Sequence, residues 1–201
     1  MNIPSLILDK AVEQLSTLPG IGKRSALRLA ISILNKKTED IQLLAQSIAD
    51  LEDKILLCNL CNNISDTPTC SICSSPNREK KIVCVVENIQ DVMAIEETSS
   101  YKGVYHVLGG VISPIDGIGP NDLKTETLIN KLQNGEVEEI ILALNATMEG
   151  DTTNYYLYKK FSPFQIKITT LSKGVSIGSE LQYIDSITLA KSLKNRLPFT
   201  I

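Results

Sequence analysis

Four cysteines set two by two constrain this chain more than any other feature. Cys58-Asn-Leu-Cys61 and Cys70-Ser-Ile-Cys73 each place two sulfurs in one tight turn, with eight residues between the pairs. Two such turns can converge on a point and supply the four thiolates of a tetrahedral zinc ion, Zn2+, one per chain. A shell filled by cysteine leaves no position for water, so the spacing points to a structural ion. The connector Asn62–Thr69 is polar and holds Pro68, and it reads as a short loop or hairpin. Disulfides are the competing reading. Nothing at the start of the sequence resembles a secretory leader, so a reducing compartment, and hence metal, is expected. Two separate redox pairs are a weaker alternative, because each would need its own βα context.

A length of 201 residues suits one to two domains with a substantial core. Hydrophobic residues make up 43% and charged residues 21%, ordinary for a folded chain, and no apolar run is long enough to cross a bilayer. The expected location is the cytoplasm. A net charge of −3 means that any DNA contact must come from a local basic patch. Aromatic residues are only 4% of the chain and tryptophan is missing, which disfavours base-stacking platforms. His106 is the single histidine, so Ser-His or Cys-His catalysis has little to draw on. Cys84 lies in Ile82-Val-Cys-Val-Val86 and reads as a buried strand residue.

Residues 1–54 read as helices. Leu8, Ala11, Val12 and Leu15 follow the spacing of one apolar helix face. Leu27, Ala30, Ile31 and Leu34 repeat it, as do Ile41, Leu44, Ala45 and Ile48. Between the first two helices lies Leu18-Pro-Gly-Ile-Gly-Lys-Arg-Ser25. Pro19 and Gly20 stop one helix, Gly22 frees the backbone, and a new helix begins near Lys23. A plain helical hairpin turn is one reading. The other is a helix–hairpin–helix phosphate grip. In that reading Gly20 and Gly22 let a nucleic-acid backbone come close, and the N–H groups opening the next helix face a phosphate. Lys23, Arg24 and Arg28 add charge, with the two arginines four apart on one face.

After the knuckle the pattern changes to that of an α/β fold. Ile82–Val86 is a continuous apolar run, as in a strand buried on both faces. A helix over Asn88–Thr98, a strand over Val104–Leu108 and a glycine-rich loop over Gly109–Pro120 follow. Asn121 or Asp122 is expected to cap a helix reaching about Asn134. A strand over Glu139–Leu144, a polar turn Asn145–Thr152, a helix through Tyr155 and Tyr158, and a strand over Ile166–Leu171 complete the alternation. Such an order implies a parallel sheet with helices on its faces. Ligands of these sheets gather at the carboxyl ends of strands. Glu87, the 109–120 loop, Asn145–Asp151 and Ser172–Glu180 lie there. No G-x-x-x-x-G-K-S/T phosphate loop occurs.

In sequence, four pieces together resemble the RecR family of bacterial recombination mediators over nearly the whole chain. They are Leu-Pro-Gly-Ile-Gly-Lys-Arg-Ser-Ala, the cysteine pairs, Ser113-Pro-Ile-Asp-Gly-Ile-Gly-Pro120, and Gly174–Asp185 before the final helix. The resemblance implies four parts: a helix–hairpin–helix DNA-binding domain over 1–54 and a four-cysteine zinc finger over 55–78, then a Toprim α/β domain over 79–172 and a C-terminal segment with a helix over 173–201. In that last part Leu181-Gln-Tyr-Ile-Asp185 resembles the family's Walker-B-like stretch, though the string alone reads equally well as a strand end and helix cap. The resemblance also implies a non-enzymatic role in recombinational DNA repair. It would act near the nucleoid with RecO and RecF to help load RecA, as a tetrameric ring able to surround duplex DNA or single-strand/duplex junctions.

Two departures from the family pattern matter. Lys23 stands where proline is common, so the basic position carried over is Arg24, with Arg28 after it. Catalytic Toprim enzymes hold magnesium with a strand-end glutamate and an Asp-x-Asp pair. Here Glu87 is present but the pair reads Asn145-Ala-Thr147. Neutral side chains lose most of the charge that a divalent ion needs. Glu149 and Asp151 lie close by, so the alternative is a magnesium-dependent Toprim nuclease or primase using Glu87, Glu149 and Asp151. In the mediator reading the same three carboxylates meet a basic protein partner.

Overall fold

A computed structural model describes residues 3–198. The chain divides into two compact units, Met1–Ile55 and Leu56–Ile201.

The first unit is helical: α1 (Leu6–Leu15), α2 (Lys23–Leu34) and α3 (Thr38–Asp53). Ser5 caps α1 by accepting the Leu8 N–H. Val12, Ala26 and Ala30 are buried, with Leu8, Leu15, Ile21 and Leu27 packed around them. Small alanines let α1 and α2 approach closely. The predicted faces are only partly buried: Ile31 and Leu34 stay exposed, and α3 buries no residue at all. The periodicity of α3 is therefore real, but its apolar stripe has no partner among the described residues.

The second unit opens with β1 (Leu56–Leu57) and β2 (Ile64–Ser65), an antiparallel pair closing around the first cysteine turn, followed by the short α4 (Ser71–Ser74). Then comes β3 (Glu79–Val86), α5 (Ile89–Glu97), β4 (Gly103–Val107), α6 (Glu126–Gln133), β5 (Glu139–Leu142), α7 (Met148–Phe161), β6 (Lys167–Thr170) and α8 (Ser186–Lys194). The four longer strands form a parallel sheet in the order β4-β3-β5-β6. This is the mixed α/β fold expected, with helices on both faces. Val83 and Val85 point to one face, packed with Leu128 and Leu132 of α6 and Leu157 and Phe161 of α7. Cys84 and Val86 alternate to the other face, with Val92 of α5 and Tyr105. Burial pushes the Cys84 thiol up to about 12, as befits an inert core residue.

One expectation fails. Neither Asn121 nor Asp122 caps a helix. The Asp122 carboxylate accepts the Gly119 N–H at 2.7 Å and so serves the preceding loop. Helix α6 starts at Glu126, and the Thr125 hydroxyl before it accepts from Lys160 Nζ at 2.8 Å instead of capping. The Walker-B-like string also forms no strand. Leu181–Tyr183 is one 3₁₀ turn, and Asp185 caps α8 by accepting the Thr188 N–H at 2.8 Å.

Candidate metal centre, glycine turn and strand-end carboxylates

The four knuckle cysteines are buried, and their sulfurs lie within 4.8 Å of one another. All are free thiols. Backbone hydrogen bonds shape the two turns. Cys58 N–H donates to the Asn63 carbonyl at 2.7 Å, and Asn62 N–H donates to the Cys58 carbonyl at 2.9 Å. Asn62 takes the left-handed conformation (φ 60°) that lets the chain turn back after Cys61. Cys70 N–H points at Cys58 Sγ at 3.3 Å and Cys73 N–H at Cys70 Sγ at 3.5 Å. Such donors stabilise thiolate.

A tetrahedral ion with Zn–S bonds of about 2.3 Å needs sulfurs roughly 3.8 Å apart, and Cys61 Sγ and Cys70 Sγ are 3.6 Å apart. The donor set thus fits a thiophilic ion such as zinc, which would supply a cross-link between the two turns. The Cys61 thiol donating to Cys73 lowers the latter to about 6, while that contact and burial push Cys61 up.

The knuckle is fastened to the sheet. Val107 N–H at the end of β4 donates to the Cys61 carbonyl at 2.8 Å, and Asn62 Nδ2 donates back to the Val107 carbonyl at 3.3 Å. Lys131 of α6 donates to the Leu60 carbonyl at 2.8 Å. Sequence reasoning missed Asn62 and Lys131; an Asn directly after the second cysteine was the only available signal.

In the helical unit, Gly20 takes φ +80°, and a Cβ added at Gly20 or Gly22 would meet nothing within 4 Å. The backbone there is open to a ligand. Gly22 caps α2 without a side-chain acceptor, and the first turn of α2 holds no acidic residue. Its leading N–H groups are unclaimed by side chains. Lys23, Arg24 and Arg28 are exposed beside them.

Parallel pairing of β3 with β5 makes Glu87 and Asn145 neighbours at the carboxyl edge. Asn145 Nδ2 donates to Glu87 Oε2 at 3.0 Å. Gly150 allows the first turn of α7 to press on this site, since a Cβ there would lie 2.0 Å from the Asn145 carbonyl oxygen. Thr147 caps α7 by accepting the Gly150 N–H at 3.1 Å. Glu149 and Asp151 follow in that turn, where acids favour the helix dipole. Asp151 pairs with Lys173 at 2.5 Å. Among the described residues, only the cysteines draw three or more metal-ligating side chains together.

The family model described as RecR, helix-hairpin-helix matches residues 8–51, the Toprim domain model matches 81–172, and the model for the RecR C-terminal region matches 174–197. The chain is 52% identical to Recombination protein RecR of Bacteroides fragilis over 98% of its own length and 96% of the relative's. The chain belongs to the RecR family. Recombination protein RecR of Flavobacterium psychrophilum is 50% identical, covering 99% of this chain and 97% of its own. That of Porphyromonas gingivalis is 48% identical, with 98% and 95% covered. Family membership supports a role in recombination and repair for this RecR-family chain. No helix among its described residues is long and apolar enough to cross a membrane.

Proposed function

We propose that this chain is a non-enzymatic, DNA-binding recombination mediator that acts with RecO and RecF to help load RecA. Beside family membership, one observation carries the reading. Two of the three strand-end carboxylates are already engaged, Glu87 by the Asn145 amide and Asp151 by the Lys173 ammonium. A magnesium ion would have to displace a lysine and work beside a neutral amide where Toprim enzymes place carboxylate.

In this reading Gly20, Gly22, Lys23, Arg24 and Arg28 hold a phosphate of duplex DNA or of a single-strand/duplex junction. Zinc on Cys58, Cys61, Cys70 and Cys73 fixes the knuckle. Glu87, Glu149 and Asp151 face basic RecO. The divisions 1–54, 55–78, 79–172 and 173–201 are the working parts, and the protein works in the cytoplasm at the nucleoid. A homo-oligomer, as a tetrameric ring, is supported by apolar side chains left in water. Leu43, Ile48 and Leu51 of α3 are more than 60% exposed, as are Ile187 and Leu193 of α8. Such surfaces in a soluble chain ask for a partner.

The test is binding to duplex, single-stranded and gapped DNA across salt, with and without RecO, together with light scattering. Sequence-independent binding with a steep salt slope, a mass above the monomer, and RecO capture weakened by Glu149→Ala are expected. Metal-dependent cleavage lost with Glu87→Ala would overturn the mediator reading.

A further inference from the structure

Lys131 stands half-exposed in the last turn of α6, and its ammonium reaches the metal centre from 71 residues away in the chain. Nζ donates to the Leu60 carbonyl at 2.8 Å, and Leu60 lies inside the Cys58–Cys61 turn. The same ammonium is within Coulombic range of Cys73, in the other cysteine pair. One side chain of the α/β unit thus addresses both halves of the knuckle. No carboxylate claims it, since Lys131 has no ion-pair partner among the described residues.

The ligand set says what such a cation is for. Four thiolates around a divalent ion leave two negative charges, and the four cysteines are at most 5% exposed. Buried charge is unfavourable unless it is paired or hydrogen-bonded. Backbone N–H groups meet part of the need, Cys70 N–H at Cys58 Sγ and Cys73 N–H at Cys70 Sγ. Both bonds end on Cys58 or Cys70, whereas Lys131 lies toward Cys73. We propose that Lys131 is a positioning residue of the metal centre. Through the Leu60 carbonyl it holds the first cysteine turn, and it supplies counter-charge to the four thiolates, so that α6 of the Toprim domain sets the knuckle's affinity for its ion. This rests on the assignment of zinc to the four cysteines.

Competition of the full chain against a chelator, read as the zinc dissociation constant, tests it. Lys131→Met nearly keeps the side chain's length and removes both donor and charge, and zinc affinity should fall about tenfold or more, as for other outer partners of metal ligands. Lys131→Arg keeps donor and charge and should restore parent affinity. High salt screens a half-exposed charge, so the gap between parent and Lys131→Met should narrow there. A merely structural role would lower the melting temperature without that rescue or that salt dependence. Equal zinc affinity in parent and Lys131→Met would overturn the proposal and leave the metal assignment standing. So would a loss that neither arginine nor salt alters. A parent chain that takes up no zinc would remove the metal assignment and this proposal together.

Discussion

The Val107 amide donates to the Cys61 carbonyl across 2.8 Å, joining the outer edge of the sheet to the turn that carries Cys58 and Cys61. Strand β4 is an edge strand, and an uncovered edge is a template for pairing with other chains. The Cys61–Asn62 turn covers its end, and a metal ion on the four clustered sulfurs would brace that turn.

Stripping the metal should therefore release this edge first. Hydrogen exchange at the Val107 amide is expected to rise at least about tenfold on chelation or in Cys61→Ser. The Ala143 amide, which donates to the Val85 carbonyl inside the sheet, should stay protected. Unchanged protection of Val107 in verified metal-free protein would show that the edge holds itself.

The glycine turn makes a prediction about salt. Arg24→Ala with Arg28→Ala should weaken binding to all DNA sequences alike, because phosphates carry no base identity. The slope of log K against log salt should become shallower by about two units, roughly one per contact removed. Parent-level binding of duplex at moderate salt would remove the turn from the interface.

At the strand ends, Asn145→Asp replaces a donor on Glu87 with a second carboxylate. Loss of the hydrogen bond and the new repulsion should lower stability by about 1–3 kcal/mol. Millimolar magnesium should recover part of it by binding the folded state, where the parent shows no response. Melting curves with and without magnesium decide this, and a magnesium-sensitive parent would show that Glu87 binds a cation despite its Asn145 partner.

His106 is 1% exposed, with Nε2 2.5 Å from the Lys124 carbonyl oxygen and Nδ1 without a partner. Burial drives its pKa down to about 4 from the ordinary 6.5. Between those values the unfolded chain binds a proton that the folded chain refuses, so stability falls as pH falls through this window. The loss from pH 7.5 to 5 should be about 2 kcal/mol. Denaturant titrations of the parent and His106→Gln, compared at both pH values, should show the variant lacking that increment.

Much of this protein was legible in its sequence because the deciding features are local. Paired Cys-x-x-Cys turns fix a ligand geometry within a few residues of chain. Gly20 and Gly22 declare an open backbone, and the uninterrupted run Ile82–Val86 declares a strand buried on both faces. The α/β alternation, with crossovers running one way, then left little choice but a parallel sheet. The tertiary structure decided what depends on partners far apart in the chain. Asp122 could have capped a helix, but the Gly119 N–H reached it first. The stripe of α3 reads as core, yet burial requires a second surface that the sequence cannot show. Glu87 and Asn145 are 58 residues apart, and only the β3–β5 register makes the amide a neighbour that quiets the carboxylate. The knuckle's composition was written in its cysteines, whereas its attachment at Val107 came from two backbone groups, which every residue carries and no sequence pattern can announce.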